Sequence, residues 1–189
     1  MMSLELVTPP AVEPVTLDEA KAHLKVDTSA DDGLIARLIA AARARAEWHA
    51  GRAFITQGWI QWLDRWPESG IAELALPPLR SVVSVTAYAR DDTASVWDPS
   101  IYKVDAVSAP GRVALACTAP PLIANLRRVN AVAIAFSAGY GDAAEDVPAL
   151  LREAILEIVA GLYAHRGDGP EELPLAAEAL LAPYRVFNL

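Results

Sequence analysis

Chemistry in this chain would have to start from its paired carboxylates, its three histidines and its single cysteine. Asp31–Asp32 and Asp91–Asp92 are adjacent acids of the kind a divalent cation or a general acid/base mechanism uses. Neither pair has a histidine, a lysine or a nucleophile at a spacing that would activate it. Asp31 and Asp32 also stand where a helix should begin, and the positive end of the helix dipole favours negative charge there. Asp91 and Asp92 fall in an expected turn. His23, His49 and His165 are far apart, with no HExxH or other i, i+4 pairing. Cys117 has no second cysteine to bond or to share a metal with, and it reads as a small buried side chain. No nucleophile elbow, Walker-type phosphate loop or dinucleotide fingerprint occurs. Ser137–Gly141 (SAGYG) lacks the lysine and the spacing of a phosphate loop and reads as a turn. Arg166–Gly167–Asp168 spells an adhesion tripeptide without other support. The expectation is therefore no enzyme, no metal and no cofactor.

Composition narrows the partners. The 189 residues suit one domain, or one domain with appendages. A net charge of −8 argues against a broad basic surface that would hold nucleic acid by its phosphates. No apolar run approaches the ~18 residues of a bilayer crossing, so no membrane partner is expected. The opening MMSLELVTPPAVEP has neither the basic nor the apolar region of a secretory signal, so the protein is expected to stay where it is made.

The elements that position these residues follow from pattern. Thr16 with Glu19 three residues on predicts a capping box and a helix from Leu17 to about Lys25. A second start at Ser29 or Asp31, with Leu34, Ile35, Leu38, Ile39 and Ala42 in a stripe, predicts a helix to about Ala50, stopped by Gly51. Arg37, Arg43 and Arg45 lie on its other face, a solvated face or a contact for an acidic partner. Between Ile55 and Phe136, β-formers punctuated by Pro and Gly predict strands at Trp59–Leu63, Ala72–Leu76, Val82–Ala89, Tyr102–Val104, Val113–Ala116 and Ala131–Ser137. In GWIQWLDRW both faces of the strand carry large apolar groups. Such a strand needs two partners, for example a core and a neighbouring subunit, which makes Trp59, Trp62 and Trp66 candidate interface residues. A last long helix starts near Asp146–Pro148 and reaches Tyr163. HRGDGPEELP then reads as a linker, Leu175–Leu181 as a short helix, and the chain ends on the apolar LLAPYRVFNL.

The expected class is α+β: a helical core of two N-terminal helices and one long C-terminal helix, an inserted antiparallel β region and an extended C-terminal tail. The expected boundaries are an N-terminal extension over 1–14 and a connector domain over 15–164. Within that domain the helices occupy 16–50 and 147–164, and the β insertion about 55–137. A linker over 165–174 and a docking segment over 175–189 complete the chain.

Taken in order, VTLDEAKAHLKVD, DDGLIARLIAAARARAEWHAGRAF, ITQGWIQWLDRWP, LPPLRSVVSVTAYARDD, FSAGYGDAAEDVPALLREAILEIVAGLYAHRGD and LLAPYRVF resemble the head-tail connector, or adaptor, proteins of tailed bacteriophages and gene transfer agents. The resemblance implies a structural subunit that assembles with itself into a ring, a dodecamer in such proteins. It implies a portal protein above, a stopper or tail component below, and double-stranded DNA passing through without specific binding. The place of action it implies is the head–tail interface of the particle, with assembly in the host cytoplasm. It also implies that the tail, Leu180, Leu181, Pro183, Tyr184, Arg185, Val186, Phe187 and Leu189, docks into the portal, so that truncation before Leu180 should spare the fold. Two other readings stay open. One is a ligand-binding or enzymatic domain with a pocket among Trp59, Trp62, Trp66 and Trp97, with Asp91 or Asp92 as its polar group; the other is a stopper or tail terminator.

Overall fold

A computed structural model describes residues 2–116, 125–165 and 172–186. The chain divides into two compact units, each assembled from separated stretches: Met1–Pro9 with Thr56–Gly139, and Pro10–Ile55 with Tyr140–Leu189. Cys117, the Arg-Gly-Asp triplet, Phe187 and Leu189 lie outside the described residues.

Among the described residues the β unit holds eight strands: β1 (Met2–Thr8), β2 (Gln57–Leu63), β3 (Ile71–Leu74), β4 (Leu79–Tyr88), β5 (Ala94–Val96), β6 (Tyr102–Asp105), β7 (Gly111–Leu115) and β8 (Val132–Ala138). They form a five-stranded sheet in the order β1-β2-β8-β4-β5 and a three-stranded sheet in the order β3-β7-β6, with every ladder antiparallel. Alternation sets the inner face. Leu63, Val132 and Ala87 share one level of the large sheet and Val85 and Ile134 another, and all five are buried. Burial of each large side chain contributes roughly 1.5–3 kcal/mol. Gln61 lies in the same row and is buried too. Its amide nitrogen donates to Glu73 O at 2.7 Å, and its carbonyl accepts from Ala75 N at 2.9 Å, tying the large sheet to the end of β3. At Gly111 a Cβ would come within 2.6 Å of the Leu79 side chain, so only glycine lets β7 approach there.

Residues 1–14 are not simply an extension. Met2–Thr8 pairs with β2 from Met2↔Leu63 to Thr8↔Gly58, with one register shift, and forms an edge strand. β5 is likewise a strand that the pattern did not announce.

The helical unit contains α1 (Leu17–Leu24), α2 (Asp32–Ala50), α3 (Ala149–His165) and α4 (Leu175–Leu181). The capping box at Thr16 is present: Glu19 N donates to Thr16 Oγ1 at 3.2 Å and Thr16 N to Glu19 Oε2 at 2.8 Å. The α2 stripe Ile35, Ile39, Ala42, Ala46 and Ala50 packs with Leu151, Ala154, Ile155, Ile158 and Val159 of α3 in one core. At the far end of this pair Tyr163 Oη donates to Asp31 Oδ2 at 2.5 Å. The end of α3 thus stands beside the start of α2, and the two helices run antiparallel.

The short helix expected at Leu175–Leu181 is present, but the tail expected to extend from its end first makes another turn. Leu175–Leu181 is helical, Ala182–Tyr184 continues as a 3-10 turn, and Leu181 is fully buried in the helical core. An apolar face on a short helix next to an open core finds more burial by packing at home than by projecting into water.

Candidate functional site

The described part of the tail has a built seat. Gly51 ends α2 with φ 66°, the left-handed region that glycine occupies without penalty. The same residue lies under the tail, where a Cβ would stand 3.6 Å from Val186 Cβ. Val186 N donates to Ala50 O at 3.0 Å, taking up a free carbonyl at the α2 C-terminus. Arg52 Nε donates to the Tyr184 carbonyl. Burial pushes the Tyr140 phenol upward, opposed by the Arg52 guanidinium beside it and reinforced by Tyr184. The described end of the tail is therefore held at a fixed point on the α2 C-terminus.

This places the predicted tail residues in two groups. Leu181 belongs to the core and Leu180 and Tyr184 pack against it, which corrects the expectation that they are free to dock elsewhere. Pro183 and Arg185 are exposed and Val186 is half-buried.

The three arginines of α2 separate in the same way. Arg43 is internal: its Nη1 meets Glu47 Oε2 at 2.6 Å and its Nε meets Glu13 Oε2 at 2.7 Å. Burial pushes its pKa down, but Glu47 and Glu13 outweigh that and hold it above the ordinary value. Glu47 in turn accepts from Phe54 N at 2.7 Å, so the buried carboxylate fixes the turn after α2. Arg43 is thereby corrected from an interface residue to a structural one. Arg45 is half-buried, lining small cavities with His165, Trp48 and Glu172. Arg37 is exposed and, among the described residues, makes no ion pair.

The tryptophans do not converge. Trp66 is 5% exposed and stacks on Trp97 with centroids 5.1 Å apart, so it is core and not an interface residue. Trp62 lies on the outer face of the sheet, where its Nε1 donates to Glu5 Oε2 at 2.9 Å and its ring meets Tyr88 at 5.8 Å. Arg127 stands 4.2 Å over Tyr88 and pairs with Asp92 at 3.1 Å. Trp59 is half-buried, on the inner row with Gln61. The cavity beside Trp97, about 140 Å³, is lined by Ala87, Ala89, Thr93, Ser95, Asn125 and Leu126, with no carboxylate among them. Asp91 accepts from Thr93 N and closes its own turn, which holds its carboxyl below the usual range. The geometry needed for the aromatic-pocket reading does not form.

Nor do the other candidates gather. Asp32 accepts from Lys21 at 2.6 Å, Asp31 from Tyr163, and His165 Nδ1 lies 2.8 Å from Gly161 O. Among the described residues no three His, Cys, Asp or Glu side chains meet as a metal site, and no helix is long and apolar enough to cross a membrane. What the sequence did not announce is how apolar the display is. Trp48 on α2 is 85% exposed, Leu150 on α3 is 46% exposed, and Met2, Leu4 and Leu6 lie exposed on the edge strand. Trp48 sits between Glu47 and His49 in the sequence, and only its position opposite the α2 core stripe distinguishes it.

In this α+β molecule the candidate carboxylates and histidines do not gather into one site, and apolar side chains stand exposed on α2, α3 and β1, the kind of surface that marks contact with other molecules. Residues 14–89 match the family model described as "Phage gp6-like head-tail connector protein", so this stretch carries the head-tail connector signature that the ordered motifs suggested. Nearly the whole chain is similar in fold to chains of solved gene transfer agent (GTA) particles. One is from "Neck of empty GTA particle computed with C6 symmetry", at 22% identity and a TM-score of 0.81, covering 99% of this chain and 97% of the other. Another is from "Virion of native gene transfer agent (GTA) particle", at 22% identity and 0.83, covering 98% and 96%. A third, from "Neck of native GTA particle computed with C12 symmetry", gives 20% and 0.78, covering 100% and 97%. No curated protein matches the chain.

Proposed function

We propose that this chain is a structural head–tail connector subunit that forms a ring, joins the portal of a DNA-filled head to the tail and lets the genome pass. The observation that carries the reading is the fold likeness to gene transfer agent neck chains along practically its full length, with the connector signature at 14–89 beside it. An acidic chain suits the conduit role, because a negative lumen repels phosphates and a basic one would trap them. The chain acts at the head–tail interface of a virion or gene transfer agent particle.

In this role the C-terminal segment docks into the portal, but only its outer part is available. Leu180, Leu181 and Tyr184 root the segment in the helical unit. Pro183, Arg185 and Val186 bring it to the surface, and Phe187 and Leu189 supply the apolar contacts beyond. Of the tryptophans, Trp59 and Trp62 remain candidates for contact with a neighbouring subunit.

The test is assembly. Purified full-length chain is mixed with its portal protein and imaged by negative stain, with an annular layer on the portal as the expected result. Absence of any ring or portal-bound state overturns the reading. Deleting residues 187–189 is expected to leave the thermal midpoint in place and to abolish portal capture.

A further inference from the structure

Two helix faces of the helical unit remain uncovered, and they complement each other. Opposite its core stripe, α2 displays Gly33, Arg37, Ala41, Ala44 and Trp48 at i, i+4, i+8, i+11 and i+15, one line along the helix. Every one of these is exposed, and Trp48 ends the line at 85% exposure. A solvated helix face is normally built from long polar side chains. This one has a cation, an aromatic anchor and almost nothing between them to hold a neighbour away. Trp and Arg are also the residue types that dominate binding energy at interfaces.

Opposite its own core stripe, α3 displays Leu150 and Glu153, both exposed, with Glu157 and Ala160 half-buried further along the same line. Among the described residues neither glutamate has an ion pair. The two faces carry opposite charge. Since α2 and α3 pack through their buried stripes, the faces also point to opposite sides of the pair. Two different surfaces of opposite charge on opposite sides of the pair suit a head-to-tail contact, in which each copy offers one surface to the copy before it and a different one to the copy after.

Register supports the match. The Tyr163–Asp31 hydrogen bond sets the antiparallel levels within one chain. Counting inward from it at equal rise places Arg37 level with Glu157, Ala41 with Glu153 and Ala44 with Leu150, with Trp48 just beyond. Subunits of a ring stand at one height, and with the helix pair set along the ring axis, as this contact requires, the same levels carry over to the adjacent copy. The cation then faces a glutamate, and the tryptophan reaches the apolar start of α3.

We propose that the Gly33–Trp48 face of α2 docks on the Leu150–Ala160 face of α3 in a second copy of this chain, the contact that closes the ring. This rests on the connector reading and names the subunit surfaces within it.

Two full-length proteins, both with Cys117→Ser, carry Ala44→Cys and Leu150→Cys respectively. Each then holds one cysteine, so a disulfide can form only between copies. Under mild oxidation the mixture is expected to give a covalent dimer on a non-reducing gel, and neither protein alone should. Arg37→Glu is expected to weaken self-association about tenfold, and adding Glu157→Arg to restore it. A disulfide confined to Ala44→Cys chains alone, or full-size assemblies with no mixed disulfide, overturns the proposed faces while leaving the connector reading intact. Unchanged association of Arg37→Glu does the same. No assembly of the wild-type chain, with or without portal, sinks both.

Discussion

At the scale of single residues, stability concentrates in a few polar groups that only the folded chain brings together. Arg43 is held between Glu13 and Glu47, and Glu47 also receives the Phe54 amide. Removing the guanidinium leaves a buried carboxylate with its main counter-charge gone. Arg43→Ala is therefore expected to cost about 3–5 kcal/mol, read as a shift in urea midpoint at unchanged slope. Glu19 is exposed enough for solvent to weaken its interactions, and its role is smaller. The Thr16 amide, then the Thr16 hydroxyl and Arg152, hold its carboxylate below the ordinary range against a modest effect of burial. A depressed pKa in the folded state contributes stability above the unfolded value, and that contribution disappears as pH falls through the folded one. Glu19→Gln is expected to lose about 0.5–1 kcal/mol at neutral pH, with the difference from wild type shrinking as acid protonates the folded-state carboxylate; urea titration at neutral and acidic pH checks this. Gly111→Ala is a steric test, because its Cβ would collide with Leu79. A loss of about 1–3 kcal/mol is expected from the same measurement.

At the scale of elements, α4 separates two roles that the sequence left merged in one apolar ending. Leu181 is fully buried, so Leu181→Ala is expected to cost about 2–5 kcal/mol, measured by thermal or urea unfolding. Truncation before Leu180 is accordingly expected to destabilise the chain, contrary to what a free tail would predict. The local grammar was legible: the Thr16–Glu19 box, the Gly51 stop and the α2 and α3 stripes all lie within a few residues of the features that signal them. The strands of the middle were legible as strands because Trp59–Leu63 and Ala131–Ser137 are dense in β-formers. What local pattern cannot carry is pairing across distance. β1 is a strand because Leu63 and Trp62 lie opposite Met2 and Ser3, some sixty positions on. Arg43 looked like its exposed neighbour Arg37 because Glu13, thirty residues earlier, gives no sign in the sequence of where it will land. Leu180 and Leu181 read as docking residues because apolar side chains look the same whether their partner is their own core or another protein.

At the scale of the whole molecule, an acidic chain that displays apolar faces is poised to associate with protein and to shun nucleic acid. No retardation of double-stranded DNA is expected in a mobility-shift assay at physiological salt, where a basic channel protein would bind strongly. The two units are also threaded through each other in sequence: the chain leaves the β unit at Pro9, returns at Thr56 and leaves again after Gly139. That order has a consequence during synthesis. About a hundred residues separate the end of α2 at Ala50 from the start of α3 at Ala149. At a translation rate of about 5–20 residues per second, α2 is made roughly 5–20 s before its core partner emerges. For that interval Ile35 and Ile39 have α1 and the Phe54–Ile55 turn but not α3 to cover them, while Trp48 stands ready on the opposite face. Nascent chains on neighbouring ribosomes are therefore a hazard for this protein, and a holdase that shields α2 until α3 appears would raise the yield of assembly-competent subunits.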